Sequence, residues 1–399
     1  QNMRITWVTR SFLDYRIPVF KALNKICGNE LTVIYYKDIP PQRTQDKLKT
    51  ILGSRAIARK KELRIGNRPK IDNASRANSS IRIPISPGLI KQVIQSKPDV
   101  LISDGFMQWT YAALIVRALK GIPHVMCYER TKYTERSAGS LRTIYRKFVS
   151  HWIDAIDCNG IQTEEYLIDI GFPKERMTRG HMAADVSGLS QAVQSVSSYE
   201  VNTLRNQLKC KEIMLLFVGQ LIPRKGVKEL LEAWNKFKYS GNTNATLVYV
   251  GDGPQMNELK TIISQQHIPD IILTGAIDYD SIAPYYKAAD CFIIPTLEDN
   301  WSLVVPEAMS CELPIATSKY NGCHPELVHP ENGWVFDALN QDSIIQTLKK
   351  IIDSKDKLRQ MGKISKEIVS HHTPDHAAES IIEACKLAFK HRHKKWIEK

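Results

Sequence analysis

Short apolar runs alternate along this chain with stretches that are apolar at every third or fourth position. The runs read as buried strands and the stretches as amphipathic helices. In the first half, strands are predicted at 5–9, 31–36, 100–103 and 124–128, and helices at 18–26, 88–96 and 111–119. In the second half, strands are predicted at 212–219, 245–251, 270–275, 291–296 and 332–336. Helices at 227–237, 255–267 and 281–289 fall between them. Strands apolar on both alternating faces are covered on both sides, as in parallel sheets with crossover helices. The predicted class is α/β, with two doubly wound Rossmann-like domains.

The 399 residues suit two domains of ordinary size. The boundaries are expected at 1–187 for the first domain, 188–210 for a linker and 211–371 for the second. Residues 187–198 are rich in Ser, Ala and Gln, although 200–208 has the pattern of a short helix. After Pro374 a last helix, within 372–399, runs on. No stretch reaches the 18 or more apolar residues of a membrane span. Residues 3–9 read as strand rather than as a secretory leader. The 8 cysteines are scattered with no Cys-x2-Cys pair, which predicts free thiols and a cytoplasmic setting.

Candidate chemistry lies in the second half. The run Thr296-Leu-Glu-Asp-Asn-Trp-Ser-Leu-Val-Val-Pro-Glu307 carries two acids, Asp299 and Glu307, across a predicted strand-to-helix junction. With the helix expected to begin near Ser302, the N–H groups of Ser302, Leu303 and Val304 are first-turn donors without helical partners, suited to a phosphate. Upstream, a strand ends in Gly219-Gln220-Leu-Ile-Pro-Arg224-Lys225-Gly226, which places two cations at a turn. Gly251-Asp252-Gly253 and Gly275-Ala276 end two further strands, and glycine there permits close backbone approach. Alone, the acidic segment also fits a capped helix with two surface acids, and Arg224 and Lys225 fit solvated loop charges. No Gly-x-Gly-x-x-Gly follows the first strand, which argues against a dehydrogenase.

Taken in order, these motifs resemble those of the retaining family 4 glycosyltransferases. That family carries an acid-x7-acid motif and a Gly-Arg-Leu-x-Pro-x-Lys-Gly loop. Asp299 stands where Glu is usual, and Gln220 where Arg is usual; Gly219, Leu221, Pro223, Lys225 and Gly226 match. The resemblance implies the GT-B fold, two Rossmann-like domains facing a central cleft, with the last helix crossing back to the first, acceptor-side domain. It implies transfer of a hexose-type sugar from a nucleotide-diphosphate sugar, UDP- or GDP-linked, to a glycan or lipid-linked acceptor in envelope polysaccharide synthesis. Lys225, Arg224 and Asp299 become the catalytic candidates. Gln220, Gly251, Asp252, Gly275, Ala276, Asn300, Trp301, Ser302, Leu303, Val304 and Glu307 become donor-binding ones, with Glu307 on the ribose. Arg10, Arg16, Glu129 and Arg130 are acceptor-side candidates, Glu129 fitting a ligand contact or a helix-start acid alike. No metal and no cofactor are expected. A catalytically inactive partner subunit, or a nucleotide-sugar epimerase on the same fold, fits the departures from the motif.

Charge points to a surface partner. The formal net charge is +13. Residues 42–70 hold ten basic residues against Asp46 and Glu62, with Leu48, Ile51 and Leu52 giving a helical apolar face. A second basic region mixes Arg142, Arg146 and Lys147 with Tyr145, Phe148 and Trp152. This pattern predicts peripheral contact with anionic membrane at the inner face of the cell membrane, made by 42–70. A face that merely keeps the chain soluble has the same composition. No nucleic-acid motif is present.

Overall fold

The computed structural model describes residues 2–65, 83–241 and 244–397. The chain forms two units, one of which runs to Asp185 and resumes at His372, while the other spans Val186–His371.

The first unit is built on a seven-stranded sheet. In chain order its strands are Ile5–Val8, Leu31–Tyr36, Ala56–Arg59, Val100–Asp104, His124–Tyr128, Ala155–Cys158 and Met177–Arg179. Across the sheet they stand third, second, first, fourth, fifth, sixth, seventh, and every pairing is parallel. Side chains alternate faces along each strand. Ile5, Trp7, Val33, Tyr35, Ile102 and Val125 enter one apolar cluster. Val8, Ile34, Tyr36 and Leu101 enter another, and Met126 and Tyr128 a third. Helices Arg16–Ile26 and Pro374–Ile397 pack together on the first of these clusters. Ala377, Ala378, Ile381, Ala384, Cys385 and Ala388 are buried there, a small-residue face that lets the two helices approach closely. The last helix thus belongs to the first unit.

The second unit repeats the plan with six parallel strands: Ile213–Val218, Ala245–Val250, Ile271–Leu273, Cys291–Ile294, Ile315–Ser318 and Gly333–Phe336. They stand third, second, first, fourth, fifth, sixth. Helix Val227–Tyr239 buries Val227, Leu230, Leu231, Trp234 and Phe237, the i, i+3, i+4, i+7 stripe of a helix laid on a sheet.

Residues 188–210 differ from the expected linker. Ser187–Ser195 is a helix with Leu189 and Val193 buried, packed on helices Ala283–Ala288 and Val304–Ser310. Its few apolar side chains fall at i and i+4, enough for one buried face. Ser198–Gln207 begins with a capping box between Ser197 and Glu200. Arg205 then fixes its far end by donating to the carbonyls of Ala288, Lys211 and Glu212.

All eight cysteines are free thiols. Among the described residues no helix is long and apolar enough to cross a membrane.

Candidate active site

In an open parallel sheet the strand order reverses at one place, and the loops leaving the two strands there diverge to leave a crevice. In the second unit those strands are Ile213–Val218 and Cys291–Ile294, which pair directly. Their outgoing loops carry Arg224 and Lys225 on one side and Asp299 on the other.

The two loops are fastened backbone to backbone. Pro223–Lys225 makes one 3₁₀ turn closed by Gly226 in the left-handed region, φ +68°. A β-carbon on Gly226 would lie 1.9 Å from the carbonyl oxygen of Pro295, so only glycine fits. The Arg224 carbonyl accepts from the Leu297 N–H at 2.8 Å and from the Thr296 hydroxyl at 3.1 Å. Its guanidinium makes no hydrogen bond or ion pair among the described residues, and its charge adds to that of Lys225 in favouring the Asp299 carboxylate. The turn after Val250 is held similarly. The Gly251 N–H donates to the Gly275 carbonyl at 2.9 Å, and a β-carbon on Gly251 would meet the Gly219 carbonyl oxygen at 1.8 Å. The Leu221 N–H donates to the Asp252 carbonyl at 3.0 Å. The strand ends bearing Gln220, Asp252 and Gly275–Ala276 are therefore neighbours, with the side chains of Gln220 and Asp252 exposed.

Lys225 Nζ lies 2.7 Å from Asp299 Oδ2. The same oxygen accepts from the Ser302 hydroxyl at 2.6 Å, and Oδ1 accepts from the Trp301 N–H at 3.1 Å. Burial pushes the Asp299 carboxyl up, but the Lys225 charge and the Ser302 hydrogen bond outweigh it and hold the group below the usual carboxylate range. A carboxylate offers about four lone-pair positions; two are used by the loop itself and a third by Lys225 from the facing loop. Asp299 is thus first an organiser of its own loop, with Lys225 as its counter-ion.

The helix after the motif starts at Val304, not near Ser302, and ends at Ser310. The Ser302 N–H, expected to lack a partner, donates to Asn321 Oδ1 at 3.3 Å. Asn321 is buried, and its amide also donates to the Thr317 hydroxyl at 3.3 Å. The N–H groups of Leu303 and Val304 have no partner among the described residues, so two of the three anticipated donors remain available. The sequence marks a small loop at Asn321-Gly but gives Asn321 no place in the site, although such a turn after a strand can hold a neighbouring loop. Glu307 lies in the short helix, with the Tyr286 hydroxyl 3.5 Å from Oε2. Burial, with no cation beside it among the described residues, raises its carboxyl to about 7.

The first unit brings together only part of what was expected. Arg16 and Glu129 meet at 3.0 Å, with the Tyr15 hydroxyl 3.5 Å from the same carboxylate oxygen. No helix starts at Glu129; the next begins at Ser140. Arg10 is elsewhere, in a two-point pair with Glu62 at 2.8 and 2.7 Å. Arg130 lies 3.4 Å from Glu135. A residue not anticipated, His181, is fully buried beside Glu129, with Nε2 3.7 Å from Oε1 and Nδ1 3.1 Å from Asp157 Oδ1. Burial alone would lower the His181 pKa, but the two carboxylates raise it to about 9. Burial likewise works against Glu129, yet His181 and Arg16 hold it at about 2. Arg16, Glu129 and His181 follow three different strands, so the cluster gathers at the carboxyl edge of the first sheet.

The basic segment 42–70 takes another form than expected, and its residues 66–70 lie outside the described residues. Helix Gln42–Leu52 turns Leu48 and Leu52 into the core, with Ile51 packed against it, so its apolar side is not available to lipid.

A family model described as "Glycosyl transferases group 1" matches residues 201–368. One described as "Glycosyltransferase Family 4" matches residues 24–187. An uncharacterised glycosyltransferase of Methanocaldococcus jannaschii is 28% identical over 180 residues, 44% of this chain and 45% of that protein. The lipopolysaccharide 1,2-N-acetylglucosaminetransferase of Salmonella typhimurium is 25% identical over 210 residues, 50% of this chain and 53% of that protein. The matches span about half the length of these curated relatives. Among solved structures, HepE of Anabaena in complex with UDP superposes with a TM-score of 0.72 at 16% identity, covering 96% of this chain and 100% of HepE.

Proposed function

Since this chain belongs to the family 4 glycosyltransferases and has their B-type fold, we propose that it moves a hexose-type sugar, with retention, from a nucleotide-diphosphate sugar to an envelope glycan or lipid-linked acceptor. The observation that carries this reading is the Lys225–Asp299 pair at 2.7 Å, locked at the point where the strand order reverses. Lys225 has three donor hydrogens, of which Asp299 takes one. The others, the guanidinium of Arg224 and the N–H groups of Leu303 and Val304 form the positive side of a diphosphate site. Arg224 supplies the charge that Gln220 does not.

In the proposed reaction the bond from the sugar's anomeric carbon to the diphosphate oxygen breaks, and a bond to the acceptor oxygen forms on the same face. The acceptor proton passes to the departing phosphate oxygen, so no carboxylate nucleophile is needed. Glu307 holds the ribose hydroxyls. Asn300–Ser302, ordered by Asp299, lie against the sugar. HepE was solved with UDP and with UDP-glucose, which favours uridine as the base to try first. The Salmonella relative's lipopolysaccharide activity supports an envelope acceptor.

Calorimetric titration with UDP and GDP, followed by turnover assays on the preferred sugar donor, tests the reading. Lys225→Ala should lower turnover by about 10²–10³-fold. Near-normal turnover in that variant, or binding of neither nucleotide by the wild type, contradicts it.

A further inference from the structure

A carboxylate is an unhelpful neighbour for a phosphate site. Lys225, the cation assigned to the diphosphate, is already paired with Asp299 at 2.7 Å, and both side chains are largely buried, 17% and 13% exposed. Burial pushes the Asp299 carboxyl up, yet Lys225, Ser302 and Arg224 keep it ionised. The pair is held firmly. The Leu297 N–H donates to the Arg224 carbonyl at 2.8 Å and ties the two loops together beside it. The Ser302 hydroxyl and the Trp301 N–H hold the carboxylate from its own loop at 2.6 and 3.1 Å. An anion arriving at Lys225 therefore meets the cation with its counter-ion still in place.

The consequence depends on the charge of that anion. In an enclosed site, like charges a few ångströms apart repel strongly because little water or salt screens them. A nucleotide-diphosphate sugar carries about two negative charges, one on each esterified phosphate. The nucleoside diphosphate left after transfer ends in a free phosphate, whose last proton leaves near pH 6, so above that pH it carries about three. While the glycosidic bond breaks, the sugar ring is positive as the phosphate gains charge. A nearby carboxylate favours the first as much as it disfavours the second. Once the acceptor bond has formed and the phosphate has given its proton to water, only the repulsion remains.

We propose that Asp299 acts on release: it weakens the hold of Lys225 and Arg224 on the nucleoside diphosphate product more than on the nucleotide-diphosphate sugar, so that product leaves and fresh donor replaces it. Product release limits turnover in many enzymes, and a site lined by cations alone would retain the more highly charged of the two ligands. The inference rests on the reading of this crevice as the donor site.

Titration calorimetry of the full chain with UDP and with UDP-glucose at pH 8 tests it. Asp299→Asn is nearly isosteric and removes the charge. It should tighten UDP by about tenfold or more and UDP-glucose by about threefold or less. Ser302→Ala loosens the same carboxylate but leaves its charge, so it should tighten neither. A purely structural role for Asp299 has the opposite sign, since a disordered loop weakens both ligands. Leaving Lys225 without its partner destabilises the ligand-free fold. The urea midpoint of Asp299→Asn should therefore be lowered, and saturating UDP should raise it by more than it raises that of the wild type. Asp299→Ser, which admits water beside Lys225, should repeat the result and keeps the test open where the asparagine variant folds poorly. A wild type that prefers GDP is titrated with GDP and GDP-mannose instead. Wild-type binding of the diphosphate, with folded variants that bind it no more tightly or that gain equally for both ligands, overturns the proposal and leaves the donor reading standing. A wild type that binds none of these ligands overturns both.

Discussion

Two buried ionisable residues set how this protein should respond to pH. Glu307 has a folded-state pKa of about 7 against an ordinary 4.5, because it is buried and no cation lies beside it among the described residues. Between those values the folded chain keeps a proton that the unfolded chain has released, so this residue makes stability fall as pH rises from 4.5 towards 7. If the carboxylate form binds ribose, UDP affinity should rise between about pH 6 and pH 8 with release of one proton. Calorimetry in two buffers of different ionisation enthalpy reads that proton, and Glu307→Gln should abolish the dependence. His181 works in the same sense over a higher pH window. Its pKa is raised from 6.5 to about 9, so the stability it contributes is complete below 6.5 and is lost as pH rises through 9. Replacing it by alanine leaves Glu129 and Asp157 without their shared cation and should cost about 3 kcal/mol. Urea unfolding at several pH values should show a decline above pH 6.5 in the wild type that is missing in the variant. An equally steep decline in both would assign the effect to another group.

At the level of elements, the loop before helix Val227–Tyr239 depends on one backbone conformation. Gly226→Ala would put a β-carbon into the Pro295 carbonyl and a side chain into a left-handed φ, costing about 1–2 kcal/mol for the conformation alone. Because Gly226 adjoins Lys225, the substitution should weaken UDP binding together with thermal stability, and a full-strength titration in a destabilised variant would uncouple the two. This loop and the acidic motif were legible in the sequence because each is a strand, a turn and a helix start within a dozen residues. Lys225, Asp299 and Glu307 were picked out by the resemblance of those two segments to the family's motifs, since alone they also fit loop and helix-surface charges. The cluster in the first unit was not legible in that way. Arg16, Glu129, Asp157 and His181 come from four separate places along the chain, and each looks ordinary in its local context. Only the strand order brings them to one edge. Strand Ala155–Cys158 was missed because its buried Asp157 breaks the apolar run, and Met177–Arg179 because it is a short, half-exposed edge. In helix Ser140–Ser150, Arg146, counted in the sequence among surface cations, is one of the residues that face in.

For the whole molecule, the two units differ in how the chain builds them. Among the described residues the second is one continuous segment, Val186–His371, and the first is completed only by the helix that follows it. A fragment of residues 186–371 should therefore fold by itself. Residues 1–185 should not, because Val19, Phe20 and Leu23 on helix Arg16–Ile26 would lose the partner helix that covers them. Circular dichroism and urea titration of the two fragments check this, and adding a peptide of residues 372–399 to the second should restore a cooperative transition. The same arrangement fixes a schedule on the ribosome. At about 5–20 residues per second, the stretch from 186 to 371 takes roughly 10–40 s to make. Throughout that interval seven strands' worth of nascent sheet waits with one face uncovered. The unit whose chain emerges first is thus the last to finish, and it is the one whose survival in the cell should depend most on chaperones that shield exposed apolar surface.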